Sequence, residues 1–345
     1  MFRGEKSVTK SKLHAAFAAI AISLIFQAKP VYAQDNILND ISEYVFEHLP
    51  DSLGDRLPES LLKDIKTKSD FGAVLELGGF ASDNLSVTDI DVNSGNDDIA
   101  AKGSILLSYN QGLGKNLKLG ISYKGSQTLY EEFTDFDFQS HLLTAKVDYN
   151  FNGYKTGVVV RNVSSSLSGD DFLSLTQISP YISKFANRKT YLRGSYTYSD
   201  KTYEDIESRS ALEHQGRLDS YYFLDGTRQY LTFGYALKYS DAQSDPFDFL
   251  SNRFKLGYVN KISFAERRIK LGASWSYENR NYDNITPSIG EIREDSRHRG
   301  KIEVEVPLNK TLYSRLDFQH QINMSNLPTA DFTRNTVSLT FGAKF

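Results

Sequence analysis

The stretch TRNTVSLTFGAKF, residues 333–345, decides the fold. Val337, Leu339, Phe341, Ala343 and Phe345 occupy every second position, and Thr336, Ser338, Thr340, Gly342 and Lys344 fill the places between. Side chains of an extended strand point alternately to opposite faces, so this segment has one apolar face and one polar face. A helix of 3.6 residues per turn would scatter the same residues around its axis. The alternation recurs upstream. Leu117, Leu119, Ile121 and Tyr123 oppose Lys118, Gly120, Ser122 and Lys124; Ile269, Leu271, Ala273, Trp275 and Tyr277 oppose Arg268, Lys270, Gly272, Ser274 and Ser276. Similar runs lie at 101–110, 141–151, 231–239 and 301–308.

Alternation fits a soluble sandwich with apolar faces inward, or a membrane barrel with apolar faces outward. Three features favour the barrel. The patterned segments run to about 10–14 residues, enough for a tilted bilayer crossing and about twice the mean globular strand. Short connections at Gly112–Asn116, Asn152-Gly153, Asn187-Arg188, Asp225-Gly226, Ala265-Glu266 and Asn309-Lys310 alternate with long ones near 82–97, 126–137, 165–172, 199–210, 240–250, 280–296 and 323–332. Short turns on one side and long loops on the other are the outer-membrane arrangement. The final strand, moreover, closes on an aromatic residue, Phe345. The expected fold is therefore all-β: an antiparallel up-and-down transmembrane β-barrel over 70–345, of about fourteen strands, an even number that closes with both ends on one side. Its strands are expected near 70–81, 99–110, 115–125, 138–151, 154–165, 173–185, 189–199, 210–224, 228–240, 250–262, 267–279, 297–308, 311–322 and 333–345. Pro180 lacks an N–H, so it marks a bulge or strand end within 173–185. Tyr109, Tyr123, Tyr149, Tyr196, Tyr198, Tyr235, Tyr239, Tyr258 and Tyr277 share parity with the apolar residues, as an interfacial girdle would.

Residues 1–33 read as a secretory signal peptide: Arg3, Lys6, Lys10 and Lys12, then LHAAFAAIAISLIF (13–26), then Val31-Tyr32-Ala33 ahead of a cleavage site. Residues 34–69 form a short helical segment. Ile37, Leu38, Ile41, Val45, Phe46 and Leu49 recur at helical spacing up to Pro50, and Leu57, Leu61, Leu62 and Ile65 follow. Two such helices bury no core of their own, so they pack on the barrel interior, the membrane surface or a partner, either as a tethered periplasmic segment or as a plug in the lumen. Composition narrows function further. The absence of Cys removes disulfides and thiol chemistry, and a net charge of −3 argues against nucleic-acid binding.

By parity, Lys102, Lys118, Lys146, Asp148, Arg193, Arg217, Asp219, Lys238, Lys255, Arg268, Lys270, Glu303, Glu305, Arg315 and Asp317 face the lumen. Such rows either select ions or sugars or form a lattice of ion pairs. Loop acids, among them Asp83, Asp89, Asp91, Asp97, Asp98, Glu131, Glu132, Asp135 and Asp137, are candidates for divalent cations shared with lipopolysaccharide, or for simple solvation. Asp89, Asp91 and Asn93 have a calcium-loop spacing, but Ser94 and Ala100 stand where a Gly and a Glu would be needed, so no metal is expected. No cofactor is expected. His141, His214 and His320 lie at apolar-face, interfacial positions; HExxH and GxSxG motifs are absent, and no enzyme is expected.

The last strand, through Val337, Leu339, Phe341 and Phe345, resembles the terminal assembly signal of bacterial outer-membrane barrels, which implies insertion by the barrel-assembly machinery. The stretch from Tyr282 through Arg293, Asp295 and Arg297 to MSNLPTADFTRNTVSLTFGAKF, with ISPYISKFANRKTYLRGSYTYSDKTY (178–203), resembles the C-terminal barrel of surface lipoprotein assembly modifiers. Those proteins carry a long periplasmic tetratricopeptide domain before the barrel; here about 36 residues stand in that place. The expectations are a Gram-negative outer-membrane barrel acting as a channel or translocon-like conduit, in contact with outer-membrane lipid and lipopolysaccharide. The alternatives are export of a surface lipoprotein or polysaccharide with a periplasmic protein or glycan partner, and a structural or adhesive barrel with a blocked lumen.

Overall fold

The computed structural model describes residues 69–345 except 88–90 and 265–266. The signal-peptide, helical-segment and Ala265-Glu266 turn expectations lie outside the described residues, save that Ser69 already opens the first strand. The chain forms β1 (Ser69–Ser82), β2 (Ser86–Val87), β3 (Val92–Asn93), β4 (Asp98–Leu113), β5 (Leu117–Tyr130), β6 (Phe138–Phe151), β7 (Tyr154–Leu167), β8 (Asp170–Asn187), β9 (Thr190–Tyr203), β10 (Ala211–Asp225), β11 (Gln229–Ala242), β12 (Phe249–Phe264), β13 (Arg267–Thr286), β14 (Glu291–Pro307), β15 (Leu312–Ser325) and β16 (Phe332–Lys344). β2 and β3 pair as a small hairpin, and the other fourteen close into one antiparallel barrel in which β1 meets β16. Ala73 and Phe345 exchange backbone hydrogen bonds of 3.1 and 2.8 Å at that seam.

The apolar faces point outward. Each of the fourteen barrel strands exposes large apolar side chains, as with Ile105, Ile121, Phe233, Leu316 and Phe341. The alternate positions carry the charges, most of them buried or half-buried. A closed ladder satisfies every backbone group it pairs and leaves no free edge, so the form suits a bilayer. We read the barrel as membrane-spanning. No described helix is long and apolar enough to cross a membrane; the crossing elements are strands.

Two expectations need correction. The strands run from 13 residues in β16 to 20 in β13, longer than their apolar pattern. A crossing needs about 9–11, so the excess stands beyond the membrane. Two loops expected to be long are therefore short: Ser168-Gly169 joins β7 to β8, and residues 287–290 join β13 to β14. Pro180 neither ends nor bulges β8. It pairs with Val158 of β7, while the ladder to β9 skips from Ile178 to Tyr181, so the missing N–H falls in a gap. Ser179 Oγ and Thr197 Oγ1 bridge that gap at 2.9 Å.

Candidate functional site

The inner face is a network of shared ions. Glu213 receives Lys201 at 3.1 Å and Lys238 at 3.2 Å. Glu278 receives Arg253 at 2.6 Å and Arg280 at 2.9 Å, with Arg297 at 3.9 Å. Asp148 binds Lys146 and Lys155 at 3.1 and 2.9 Å and accepts the Tyr181 hydroxyl. Asp317 lies between Lys301 (3.4 Å) and Arg315 (3.3 Å), and Arg315 reaches Glu76 at 3.0 Å. Carboxylates here bridge pairs of cations across neighbouring strands rather than matching them one to one. The carboxylates of Glu278 and Asp148 are almost fully buried, where such pairing is needed to offset the loss of hydration.

Two glycines make room for this. A Cβ on Gly157 would lie 2.9 Å from the Tyr181 ring, and one on Gly342 would lie 2.1 Å from that of Tyr313. Both tyrosines lie over a neighbouring strand's backbone and reach an acid: Tyr181 donates to Asp148, and Tyr313 donates to Glu76 at 2.5 Å.

Of the residues expected on this face, Lys146 and Asp148 meet, as do Arg217 and Asp219 at 3.0 Å. Lys270 meets Glu303 at 2.9 Å. Lys238 pairs with Glu213, Glu305 with Lys344 at 3.3 Å, and Arg315 with Asp317. Arg193 stacks 4.1 Å from the centre of the Tyr181 ring, and Lys255 is buried in a cavity shared with Lys270, Lys301 and Glu303. Lys102, Lys118 and Arg268 have the same parity but are exposed, opposite Gly78, Asp148 and Ser263 in register. Val337, Leu339, Phe341 and Phe345 are exposed.

The larger omission is on β14. Arg293, Asp295, Arg297 and Arg299 are buried there at alternate positions, with Lys301 continuing the row. The spacing RxDxRxRxK was available as a signal. The outward residues Glu294 and Ser296 are not apolar, so the stretch up to Ser296 carries no hydrophobic period and reads as loop, whereas Arg297, Arg299 and Lys301 fall inside the strand expected at 297–308 but outside the lumen row expected from parity.

At the loop end, Asp91 of the connection between β1 and β4 is tied to two other elements. Asp91, buried and in the left-handed region at φ 58°, receives both Arg293 nitrogens at 2.7 Å and Arg209 at 2.5 Å. Asp91 thus joins its own loop to β14 and to the β9–β10 loop, across the mouth. Arg209 also lies over the Phe247 ring at 4.3 Å, and Arg293 over Tyr282 at 4.7 Å. Burial alone would raise the Asp91 carboxyl, but Arg293 and Arg209 hold it below the usual carboxylate range.

The cation-binding reading of the loop acids finds no support among the described residues, where no group of His, Asp and Glu is placed to hold a metal. Several acids hold backbone instead. Asp83 accepts the Asn335 amide at 2.6 Å, Asp98 the Phe133 amide at 2.9 Å, Asp137 the Tyr130 amide at 2.6 Å and Asp248 the Ala242 amide at 2.6 Å. Burial, then the charge of Asp98, raises Asp137 against the pull of the Tyr130 amide. Outside the barrel, His141 bonds Tyr123 at 2.7 Å, His214 bonds Tyr196 at 2.5 Å, and His320 bonds Asn335 at 2.7 Å.

Fold and interior together define a transmembrane β-barrel with a charged inner face and a loop that Asp91 ties to β14 and to the β9–β10 loop. No protein-family profile matches the chain, and no curated protein matches it. Solved structures similar to it include OprD of Pseudomonas aeruginosa, at 10% identity over 82% of this chain and 98% of that one, with a TM-score of 0.42. An anion-selective porin from Comamonas acidovorans is 9% identical over 81% of this chain and 100% of that one, with a TM-score of 0.49. A bacterial polysaccharide outer membrane secretin is 10% identical over 79% and 97%, with a TM-score of 0.44. At such identities and scores nothing beyond general likeness passes to this chain. The resemblance to surface lipoprotein assembly modifiers stands on the quoted residues alone.

Proposed function

We propose that the protein is an outer-membrane channel whose interior conducts hydrophilic solutes past a constriction built on Asp91. The supporting observation is the pairing of two opposite surfaces on one closed wall: apolar residues outward on all fourteen strands, and a shared-ion network inward. Fourteen strands enclose more space than the eight or so whose side chains fill a barrel. The wall is held open by charges that favour water and ions over apolar contents. Lipid and lipopolysaccharide cover the outer face, the assembly machinery reads the last strand, and the mature chain starts after Ala33. No cofactor and no covalent catalysis enter this mechanism.

The test is conductance in planar bilayers. Native protein is expected to give discrete steps, larger in Asp91→Asn. Silence from both variants in repeated, verified insertions would overturn the channel reading.

A second reading, glycan export, is favoured by one feature. Phe185, Tyr191, Tyr221, Phe223 and Tyr230 form a continuous row of rings with centroids 5.0–6.1 Å apart, on the inner face at the end where β1 begins and β16 finishes. Sugar faces stack on such rings. Retardation of the protein by soluble polysaccharide in affinity electrophoresis, lost in Tyr191→Ala, would favour this reading.

A further inference from the structure

We propose that the lumen selects anions, and that Arg161, Arg193 and Arg217 form a station that binds an oxyanion, a phosphate or carboxylate group, on a passing solute. The proposal rests on the channel reading and deepens it.

The first observation is a surplus of cations. One interior cavity is lined by Arg161, Arg193, Lys201, Arg217, Lys238, Arg253 and Arg280 but only by Glu213 and Asp219 among acids. Glu213 serves two lysines at once, and Asp219 serves Arg217. Glu278, just outside that lining, serves Arg253 and Arg280. Arg217–Asp219 is a neutral pair, but the two shared acids leave their clusters positive and Arg161 and Arg193 have no acid of their own, so the cavity keeps an excess of cations although the whole chain carries a net charge of −3. A low-dielectric wall focuses that positive field into the lumen and raises the local concentration of anions.

The second observation is Arg161. It projects from β7 into this cavity, opposite Gln177 in register. Among the described residues its guanidinium meets no hydrogen-bond acceptor and no carboxylate. The charges that act on it are the cations Arg193 and Arg217. A half-buried guanidinium among like charges is unfavourable without a counter-ion. Arg193 spends its planar face on Tyr181, which leaves its N–H edge for a ligand. The hydroxyls of Ser179, Ser195 and Thr197 line the same space. Guanidinium forks with hydroxyl donors fit an anion with several oxygens better than a spherical halide.

The test uses the full-length protein in planar bilayers under a tenfold KCl gradient, with inorganic phosphate and then malonate as added probes. The expected results are a reversal potential of anion-selective sign and phosphate block of the chloride current. In Arg161→Gln the half-blocking concentration should rise at least tenfold, while Arg161→Lys falls between. Stronger block by phosphate than by malonate would assign the station to phosphate groups, and the reverse to carboxylates. Cation-selective reversal, or unchanged block in an Arg161→Gln protein that still shows the heat-dependent gel shift of a folded barrel, would overturn the proposal while leaving the channel intact. If native protein conducts nothing, the channel reading fails by itself. Calorimetry with phosphate in detergent then decides the station: binding that Arg161→Gln abolishes supports it, and no binding to the native protein overturns it.

Discussion

Replacing Asp91 by Asn keeps the shape of the side chain and removes its charge. The carboxylate meets three arginine nitrogens, two from Arg293 at 2.7 Å and one from Arg209 at 2.5 Å. Breaking a buried ion pair by removing one partner costs about 3–5 kcal/mol. The lower end applies, because Arg293 keeps Asp295 at 2.7 and 2.8 Å and so is not stranded. A loss of about 3 kcal/mol raises the population of the released loop on the order of 100-fold. The loop base is closed by hydrogen bonds from the Leu85 amide to Asn96 (3.0 Å) and from the Ser94 amide to Leu85 (2.8 Å). Hydrogen exchange at Ser94 in lipid nanodiscs should therefore speed up about 100-fold by the same arithmetic, while amides in the β15–β16 ladder keep their protection. Unchanged exchange at Ser94 would show that Asp91 does not hold the mouth.

The same latch has a pH dependence. The folded Asp91 carboxyl is depressed, so its contribution is fully present above the ordinary Asp value near 4 and is lost as pH falls through the lower folded value. Ser94 exchange, corrected for its intrinsic pH dependence, should be flat from neutral pH down to about 5 and faster below about 4; loosening already near neutral pH would contradict the arginine pairing. Glu278→Gln removes the charge shared by Arg253 and Arg280 and should destabilise the barrel by about 3–5 kcal/mol, read from urea unfolding in vesicles. An unchanged midpoint would show that these ions do not support the wall. Gly342→Ala places a Cβ on the Tyr313 ring and should break its bond to Glu76, lowering the temperature of the heat-dependent gel shift; Tyr313→Ala should rescue the clash in the double variant. Leu339→Arg puts a cation on the outer face and should cost about 2–4 kcal/mol near the bilayer midplane, whereas Thr340→Ser on the inner face should be near neutral. Equal effects in vesicle folding would refute the assigned orientation.

The strands were legible because their signal is local. Every second residue of Leu117–Tyr123 or Val337–Phe345 meets the same solvent, and no knowledge of neighbours is needed to see it. The signal stops where the membrane stops. Beyond Asn279 in β13 and before Arg297 in β14, the outward residues face water and lose their apolar character, so these segments read as one long loop although they are paired strand. The inner residues between them, Arg280, Arg293 and Asp295, were hidden for that reason.

By itself, then, the amino-acid order determined the all-β barrel, its strand number and which side chains share a face, since a two-residue period depends only on the chain's own geometry. Only closure of the sheet decided what those side chains do. It set Lys201 and Lys238 on one Glu213, left Arg161 beside other cations, and brought Asp91 to Arg293 across 202 positions of sequence. Register and curvature make those contacts, and no local pattern encodes either one.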